Sequence, residues 1–303
     1  MAVLNQARKS VLTIMLAALS VSVFAEQHNA TTPSFRSSVI TEQISMLRGK
    51  GGNVAVLAGE QGILMVDDDY QDMTPALKTA LQPFGGENKL TYIINTHWHG
   101  DHTQGNLHFG HSAKIVAHDN VRERLLTSQE VKLFKMVTEP YPEHALPSIT
   151  YQKELTLHIN GEEVAVMHLP GGHTDGDSVV FFKKANVVHM GDLYFNGFFP
   201  FVDVQNGGSV LQMSKNVTDV INMIDDKTVV IPGHGPVSNK AELTEFRDML
   251  RGTYSEVKEM REKGMNLGQM QVEGLSSDWI DWTDGFLSEQ VWIGIVNSSI
   301  DKD

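Results

Sequence analysis

Residues 90–102 read LTYIINTHWHGDH, and this stretch decides the fold. Its first six residues form a short apolar run, which is typical of a buried β-strand. The polar part that follows contains four side chains that can bind a metal: His97, His99, Asp101 and His102. In a continuous helix the three imidazoles would point in different directions, whereas in a loop that leaves a strand they can converge. Imidazole and carboxylate groups suit Zn²⁺, and this spacing lets one loop contribute ligands to two ions.

Three further segments place a possible metal ligand where a strand ends in a tight turn. They read LPGGHT at 169–174, VHMGD at 188–192 and IPGHG at 231–235, and they contain His173, Asp192 and His234. A glycine–histidine turn is weak evidence by itself, because most such turns only reverse the chain. Together with the histidine loop, the three segments predict one metal centre assembled from several strand ends.

The rest of the sequence alternates between short apolar runs and helical periodicity. Strands are expected at Asn53–Gly59, Gly62–Asp67, Leu90–Asn95, Lys114–Ala117, Leu155–Ile159, Val164–Leu169, Ser178–Phe182, Asn186–Met190 and Thr228–Ile231. Helices are expected at 72–82, from 120 onward, and at 209–223, 239–263 and 284–298. The sequence shows no internal repeat or linker. Residues 26–303 are therefore predicted to form a single α/β domain with a helical C-terminal segment.

The order and build of these motifs resemble the metallo-β-lactamase superfamily, from about Asn53 to His234. The resemblance implies a four-layer αβ/βα sandwich, in which two mostly antiparallel sheets lie face to face and helices cover the outside. The ligands would lie on loops at one rim of the sheets. The resemblance also implies two zinc ions per chain. His97, His99 and His173 would form the first site, Asp101, His102 and His234 the second, and Asp192 would bridge both.

Three other residues are candidates for supporting roles. Asp67 matches a strand-end aspartate of the superfamily, although the glycine that usually follows is missing. It would orient a ligand imidazole, or else belong to a solvated acidic turn. Tyr194 could hydrogen-bond a substrate carbonyl, as a nearby tyrosine does in some lactonases of the family, and Trp98 could form a pocket wall. Four phenylalanines in the following segment FNGFFPFVD could form a substrate wall or a buried cluster: Phe195, Phe198, Phe199 and Phe201.

Composition excludes several functional classes. The chain has 24 Lys and Arg against 37 Asp and Glu, which gives a formal net charge of −13. An acidic surface repels phosphate backbones and anionic lipids, so neither nucleic acid nor a membrane is an expected partner. The chain has no cysteine, which rules out a thiol nucleophile and thiolate metal ligands. It also excludes the β-lactamase subclasses that bind their second metal through cysteine.

The N-terminal segment has the pattern of a secretory signal peptide. Arg8 and Lys9 precede an apolar stretch at 11–23, and residues 23–25 read VFA, with small residues where signal peptidase requires them. Cleavage is expected after Ala25. The apolar stretch is shorter than the ~20 residues of a membrane span. A periplasmic or secreted location is therefore predicted.

The resemblance implies a binuclear zinc hydrolase. A metal-bound hydroxide would attack a small carbonyl substrate (a β-lactam, lactone or ester), and Asp101 would orient it and move its proton. Export favours β-lactams and lactones as substrates, because an exported enzyme meets such molecules outside the cytoplasm. One alternative is a thioesterase similar to glyoxalase II, which the Asp192 pattern favours. An iron-dependent dioxygenase and a non-catalytic zinc-binding protein are further alternatives. The oligomeric state is left open.

Overall fold

Strands and helices alternate along residues 33–302, the part of the chain that the computed structural model describes. The strands are β1 (Arg36–Val39), β2 (Ile44–Arg48), β3 (Val54–Gly59), β4 (Gly62–Val66), β5 (Leu90–Ile94), β6 (Lys114–His118), β7 (Gln129–Val131), β8 (Met136–Thr138), β9 (Ile149–Tyr151), β10 (Glu154–Ile159), β11 (Glu162–His168), β12 (Ser178–Phe182), β13 (Val187–His189) and β14 (Val229–Ile231). The helices are α1 (Thr74–Ala80), α2 (Gly100–Thr103), α3 (Asn106–Phe109), α4 (Asp119–Leu125), α5 (Val210–Met223), α6 (Lys240–Glu262), α7 (Leu267–Glu273) and α8 (Glu289–Ile300). The predicted signal peptide at 1–25 lies outside the described residues.

The first sheet combines an antiparallel half with a parallel half. Its seven strands lie in the order β1-β2-β3-β4-β5-β6-β9. Strands β1 to β4 pair in antiparallel fashion, whereas β4, β5, β6 and β9 pair in parallel, so this sheet is mixed rather than mostly antiparallel. The backbone N–H of Asp67, just after β4, donates a 2.8 Å hydrogen bond to the carbonyl of Ile94 at the end of β5. The loop with the histidines therefore leaves the sheet beside Asp67.

The second sheet brings two more ligand-bearing segments to one edge. Its strands lie in the order β10-β11-β12-β13-β14, and only the last pair is parallel. In that pair His189 lies beside Ile231. The segments that follow, with Asp192 and His234, therefore leave the sheet in the same direction.

The molecule has four layers. Because successive residues of a strand point to opposite faces, the apolar side chains of each sheet belong to different clusters on its two faces. In β3, Ala55 belongs to an apolar cluster that also contains Val180 of the second sheet. Its neighbour Val56 belongs to a cluster that contains Leu77 of α1. On the outer side of the second sheet, Val179 packs in a third cluster with residues of α5, α6 and α8. This arrangement confirms the predicted four-layer αβ/βα sandwich.

The long C-terminal helices begin at side-chain caps. Ser209 accepts a hydrogen bond from the backbone N–H of Gln212, which confirms the predicted start of α5. Asn239 caps α6 in the same way by accepting from the N–H groups of Ala241 and Glu242. No helix within residues 33–302 has both the length and the apolar character needed to cross a membrane.

Several predicted boundaries were wrong, and some elements were missed. The helix expected at 284–298 begins only at Glu289, because Ser288 caps it. The helix expected at 72–82 is reduced to α1 and is flanked by 3₁₀ turns. Strands β1, β2, β7, β8 and β9 and helices α2, α3 and α7 were not expected, and α2 makes part of the predicted histidine loop helical. All four residues of β1 are exposed, and β7, β8 and β9 have only three residues each, so none of these four strands carries a clear apolar alternation.

Candidate metal centre

The structure brings seven ligand-type side chains together in two adjoining groups. The first group consists of His97, His99, His173 and Asp192, and the second of Asp101, His102 and His234. Within each group one possible ligand atom from each residue lies within 4.8 Å of all the others. These are the seven residues that the sequence predicts as metal ligands.

In the first group, ring nitrogens converge on one point. His99 Nδ1 lies 2.8 Å from His173 Nε2 and 3.1 Å from His97 Nε2. All three rings are almost completely buried. Nitrogens that face one another at these distances, with no other protein group between them, form the kind of pocket that a metal ion fills.

The second group lies beside the first on the short helix α2 and the loop after β14. His102 Nε2 lies 3.4 Å from His234 Nε2. The Oδ2 atom of Asp101 lies 3.3 Å from His234 Nε2 and 3.6 Å from His102 Nε2. The buried Asn95 side chain donates a 3.1 Å hydrogen bond to the His102 carbonyl, which closes the loop that carries these ligands.

The Asp192 carboxylate lies between the two groups. Its Oδ2 atom is 3.4 Å from His173 Nε2 in the first group and 3.3 Å from His234 Nε2 in the second. Its Oδ1 atom is 3.1 Å from His102 Nε2 but is buried without a properly oriented hydrogen bond. A buried carboxylate oxygen without a hydrogen bond is costly unless something else satisfies it. Its position fits a carboxylate shared by two cations.

In four of the five histidines, the ring nitrogen that points away from the centre has its own partner. His97 Nδ1 lies 3.1 Å from the Thr96 hydroxyl, and His173 Nδ1 lies 2.8 Å from the Phe201 carbonyl. His99 Nε2 lies 3.1 Å from a carboxylate oxygen of Asp203. Such contacts fix the tautomer and orientation of metal-bound histidines.

Asp67 provides the corresponding contact for His102. Its Oδ2 atom lies 2.8 Å from His102 Nδ1 and accepts a hydrogen bond from the Thr96 hydroxyl. Its Oδ1 atom accepts from the Thr96 backbone N–H. Asp67 is fully buried, and its φ of 62° lies in the left-handed region that aspartate tolerates better than most residues. It is therefore not a solvated turn residue.

Burial keeps two histidines of the first group, His97 and His173, in the neutral form at neutral pH. Burial lowers the pKa of His173 to about 4. Burial and the neighbouring His102 hold the pKa of His97 well below its usual range. Neutral imidazole is the form that binds a metal. His97 and His173 are therefore in the form that binds a cation.

In the absence of metal, the pKa values of the two histidines in the second group are raised. Burial alone would lower the pKa of His234, but the carboxylates of Asp192 and Asp101 outweigh it and raise the pKa to about 9. The pKa of His102 is raised in the same way. Burial alone would raise the pKa of Asp101, but the charges on His102 and His234 lower it to about 2. In the metal-free protein, protons on His102 and His234 therefore balance the charge of Asp101 and Asp192. A second cation would neutralise the same two carboxylates.

Two glycines permit the close approach of the ligands. A Cβ atom on Gly52 would lie 2.1 Å from Cε1 of the His102 ring. A Cβ atom on Gly233 would lie 2.1 Å from Asp192 Oδ1 and 2.6 Å from the Gly191 backbone. Any side chain at either position would displace a ligand.

These observations together fit two metal ions. The donors are imidazoles and carboxylates, four of the five histidines are oriented from behind, and the Asp192 carboxylate between the groups has one oxygen without a hydrogen bond. The fold thus holds two possible metal-binding sites.

A cavity of about 350 Å³ leads to the two groups, and His99, Asp101, Asp192 and His234 form part of its lining. Most of the remaining wall is apolar and is formed by Trp98, Val131, Phe134, Met136, Phe195 and Phe201. The cavity therefore joins a polar base to apolar walls.

The other candidate residues have mixed outcomes. Trp98 lines the cavity, as expected for a pocket wall. Tyr194 does not line it, because its hydroxyl shares a 2.7 Å hydrogen bond with Ser238 and its ring packs against Phe246. A substrate contact does not fit that position. The phenylalanines divide: Phe195 and Phe201 line the cavity, and Phe199 is buried against Trp292.

Sequence reasoning missed several residues of the site. Lys50 and Tyr70 line the cavity from the loops after β2 and β4. No signal in the sequence marks them. Asp203 is the last residue of the segment FNGFFPFVD, but an isolated aspartate gives no sign that it will contact His99.

Comparison with known proteins agrees with this geometry. Residues 48–234 match the sequence pattern of the metallo-beta-lactamase superfamily. Beta-lactamase-like protein 2 homolog of Caenorhabditis elegans is 23% identical over 194 residues, which are 63% of this chain and 58% of that protein. Metallo-beta-lactamase type 2 of Bacteroides fragilis is 24% identical over 168 residues, 55% of this chain and 62% of that enzyme. The matched region is thus less than two thirds of either relative.

Solved structures show the same fold. The DIM-1 metallo-beta-lactamase superposes with a TM-score of 0.57 and 22% identity over 72% of this chain and 98% of its own. The sec-alkylsulfatase Pisa1 from Pseudomonas sp. superposes with a TM-score of 0.65 and 16% identity over 86% of this chain and 49% of its own. The matched sequence pattern spans more than half of the chain and contains all seven ligand-type residues. The chain therefore belongs to the metallo-β-lactamase superfamily.

Proposed function

We propose that this protein is a binuclear zinc hydrolase that cleaves a small carbonyl substrate: a β-lactam, a lactone or an ester. The observation that carries the proposal is the position of the Asp192 carboxylate, between two groups of ligand-type side chains at the base of a cavity. Membership of the superfamily, whose members are mostly hydrolases, supports the reaction class. Imidazole and carboxylate ligands without cysteine support zinc.

Each group would hold one ion, with Asp192 shared. The residues for the first are His97, His99 and His173, and those for the second are Asp101, His102 and His234. Zinc at such a site supplies Lewis acidity and lowers the pKa of a bound water. Trp98 and Phe201 form apolar parts of the cavity wall beside these groups.

Asp101 is the residue that we expect to move the proton. It lines the cavity, and in the metal-free protein the charges on His102 and His234 lower its pKa to about 2, so it is ionised at neutral pH. A carboxylate in this position can accept a hydrogen bond from the attacking water, take its proton, and pass that proton to the leaving group. Replacement by asparagine should lower kcat by about 100-fold to 10,000-fold.

Two relatives favour a β-lactam among the possible substrates. The Bacteroides fragilis protein and DIM-1 are both named metallo-beta-lactamases. We also propose a periplasmic or secreted location, which the signal-peptide pattern at 1–25 supports. An exported enzyme would meet β-lactams and lactones rather than cytoplasmic thioesters. Sequencing the N-terminus of the mature protein tests the location.

Thioester hydrolysis is the second candidate, because the superfamily's thioesterases share the bridging carboxylate that Asp192 would provide. The fold likeness to Pisa1 adds a secondary alkyl sulfate to the substrates worth testing. An iron-dependent dioxygenase would require iron in the purified protein and would consume oxygen. A non-catalytic zinc-binding protein would turn over none of these compounds.

The experiment measures hydrolysis by the purified protein with a chromogenic cephalosporin, a lactone, an ester, a thioester and a secondary alkyl sulfate. Each assay is run with zinc, after chelation, and after zinc is restored. The proposal predicts chelator-sensitive turnover of the cephalosporin, lactone or ester, and two zinc ions per chain by elemental analysis. Hydrolysis of the thioester or sulfate alone would replace the proposed substrate class. No turnover in a verified two-zinc preparation would contradict the proposal.

The Asp101→Asn variant refines this test. It should lose turnover and keep zinc in the first group, because none of that group's ligands is changed. The matched control is Asp248→Asn, at an exposed position of α6 where the carboxylate pairs with Arg247. The control should behave as wild type. Unchanged turnover in Asp101→Asn would exclude the proposed role.

A further inference from the structure

A separate β-hairpin forms one side of the cavity. Strands β7 and β8 pair only with each other, with Val131 opposite Met136, and within the described residues they join neither large sheet. Val131 and Met136 both line the cavity, as do Phe134 and Thr138. The hairpin is therefore a separate element that forms part of the cavity wall.

The apolar side chains of this hairpin are unusually exposed. Phe134 and Met136 line the cavity and still have 38% and 37% of their surface exposed. Phe286, from the segment before α8, lines the same cavity and is 55% exposed. Large apolar residues of this kind are usually buried, and a group of them at one place marks a binding surface.

Aromatic rings connect this surface to the metal centre. The ring centroids of Phe134 and Phe201 are 4.8 Å apart, and Phe201 lies 5.7 Å from the rings of both His99 and His173. The apolar wall thus runs without interruption from the hairpin to the first group.

A second row of rings reaches the other group. Phe286 lies 6.1 Å from Phe195, whose ring stacks on His234 at 5.0 Å. Phe134 and Phe286 are themselves 6.2 Å apart. The two rows therefore meet near the hairpin, and both lead to histidines of the two ligand groups.

The charged groups of the cavity do not favour a ligand with an anionic substituent on the hairpin side. Among the described residues that line it, Lys50 is the only lysine or arginine. Its ammonium lies 2.6 Å from Asp72 and 5.0 Å from the centre of the Tyr70 ring, so its charge already has a partner. The carboxylates of Asp101 and Asp192 lie at the base. The cavity is polar where the reaction would occur and apolar toward the hairpin.

We propose that the substrate carries an extended, uncharged apolar arm on its carbonyl group, and that this arm lies against Phe134, Met136, Phe201 and Phe286. The inference rests on the proposed hydrolase function and narrows its substrate class to hydrophobic acyl compounds. Binding of the arm covers the exposed faces of the hairpin and Phe286, so longer arms bind more tightly until they extend beyond the hairpin.

The first test uses the zinc-loaded protein and straight-chain 4-nitrophenyl esters from acetate to decanoate. The value of kcat/KM should rise by about threefold to fourfold for each added methylene and then level off. Hydrolysis at a rate independent of chain length, or fastest with acetate, would overturn the inference while leaving the hydrolase function in place.

Two variants of the same hairpin test the location. Phe134→Ser should flatten the dependence of kcat/KM on chain length, because the longest esters lose the most contact. The matched control is Leu133→Ser, because Leu133 is also exposed and lines a neighbouring groove instead of this cavity. The control should keep the wild-type dependence. Equal effects of both variants would overturn the assignment, and Met136→Ser provides a second replacement should Phe134→Ser fold poorly.

A binding measurement separates this inference from the proposed function. Calorimetric titration of the zinc-loaded protein with sodium alkanoates, from acetate to decanoate, requires no turnover. The inference predicts affinity that increases with chain length and that Phe134→Ser weakens for the long members only. This result without turnover of any ester, lactone or cephalosporin would support the apolar site and contradict the hydrolase function. Affinity independent of chain length would overturn the apolar site even if esters are hydrolysed.

Discussion

The Oδ2 atom of Asp203 lies 3.1 Å from Nε2 of His99, on the side of the ring opposite to the nitrogen that faces His97 and His173. Asp67 has the same relationship to His102, at 2.8 Å from Nδ1. Each group of ligands thus has one histidine held from behind by a buried carboxylate. Because the two carboxylates belong to different groups, the two metal positions can be weakened separately.

Asp203→Asn should weaken metal binding at the first group by about 10-fold to 100-fold, since the change removes the charge that orients His99. The affinity is measured by competition with a chromophoric chelator. The second metal should be affected much less, because Asp203 touches none of its ligands. Asp248→Asn serves as the control, and equal affinity in the two variants would contradict the role of Asp203.

Asp67→Asn should produce the complementary defect. In the wild type the Thr96 N–H and hydroxyl donate to the Asp67 carboxylate, and His102 Nδ1 shares a hydrogen bond with it. The amide of asparagine would place an N–H donor against one of these groups. The second metal should bind about 10-fold to 100-fold more weakly, while the first is retained. Metal stoichiometry by native mass spectrometry gives the result. Loss of the first metal with the second kept would reverse our assignment.

Gly52→Ala should remove the second metal without unfolding the protein. The new Cβ atom would meet the His102 ring at 2.1 Å, and Asp67 holds that ring in place. Gly268→Ala is the matched control, because its Cβ atom would come no closer than 3.4 Å to another residue and alanine favours helix α7. The control should keep both metals and unfold at the same or a slightly higher temperature. Two metals in Gly52→Ala would contradict the close packing.

The two metal positions should respond differently to pH. In the metal-free protein the pKa of His234 is raised to about 9 by nearby carboxylates, so a second metal must displace a proton below that pH. Its affinity should therefore rise by at least about tenfold per unit as the pH increases from 6.5 to 9. His173 has a pKa of about 4 and is already neutral, so the first metal should show little change over this range. Calorimetric titration at several pH values measures both, and a pH-independent second affinity would contradict the account.

The raised pKa of His234 also makes the stability of the metal-free protein depend on pH. The contribution of protonated His234 to its stability is fully present below pH 6.5 and disappears as the pH rises through about 9, because the raised pKa belongs to the folded state. The metal-free protein should thus lose stability in this interval, in which the second metal binds more tightly. Thermal unfolding with and without zinc shows the two trends in opposite directions.

The fold and the ligands could be predicted because their signals are local. The strand before His97 and the turns before His173 and His234 are short segments in which apolar and ligand-type residues follow one another directly. The superfamily resemblance then supplied the order of the layers. The parallel half of the first sheet was not predicted, because pairing direction depends on contacts distant in the sequence.

The supporting contacts could not be predicted for the same reason. Asp203 meets His99 across 104 positions of sequence, and no local pattern marks either the contact or its distance. Tyr194 had a plausible position in the sequence, but its side chain turns toward Ser238 and away from the cavity. The hairpin β7–β8 is too short for a periodic signal, although it supplies much of the cavity wall.

The most direct test of the central claim is a crystal structure of the zinc-loaded protein with anomalous diffraction data collected at the zinc absorption edge. A binuclear centre gives two anomalous peaks in each chain. One should be coordinated by His97, His99 and His173, the other by Asp101, His102 and His234, and both should lie beside the Asp192 carboxylate. A single peak, or two peaks of which one lies outside these residues, would contradict a binuclear centre.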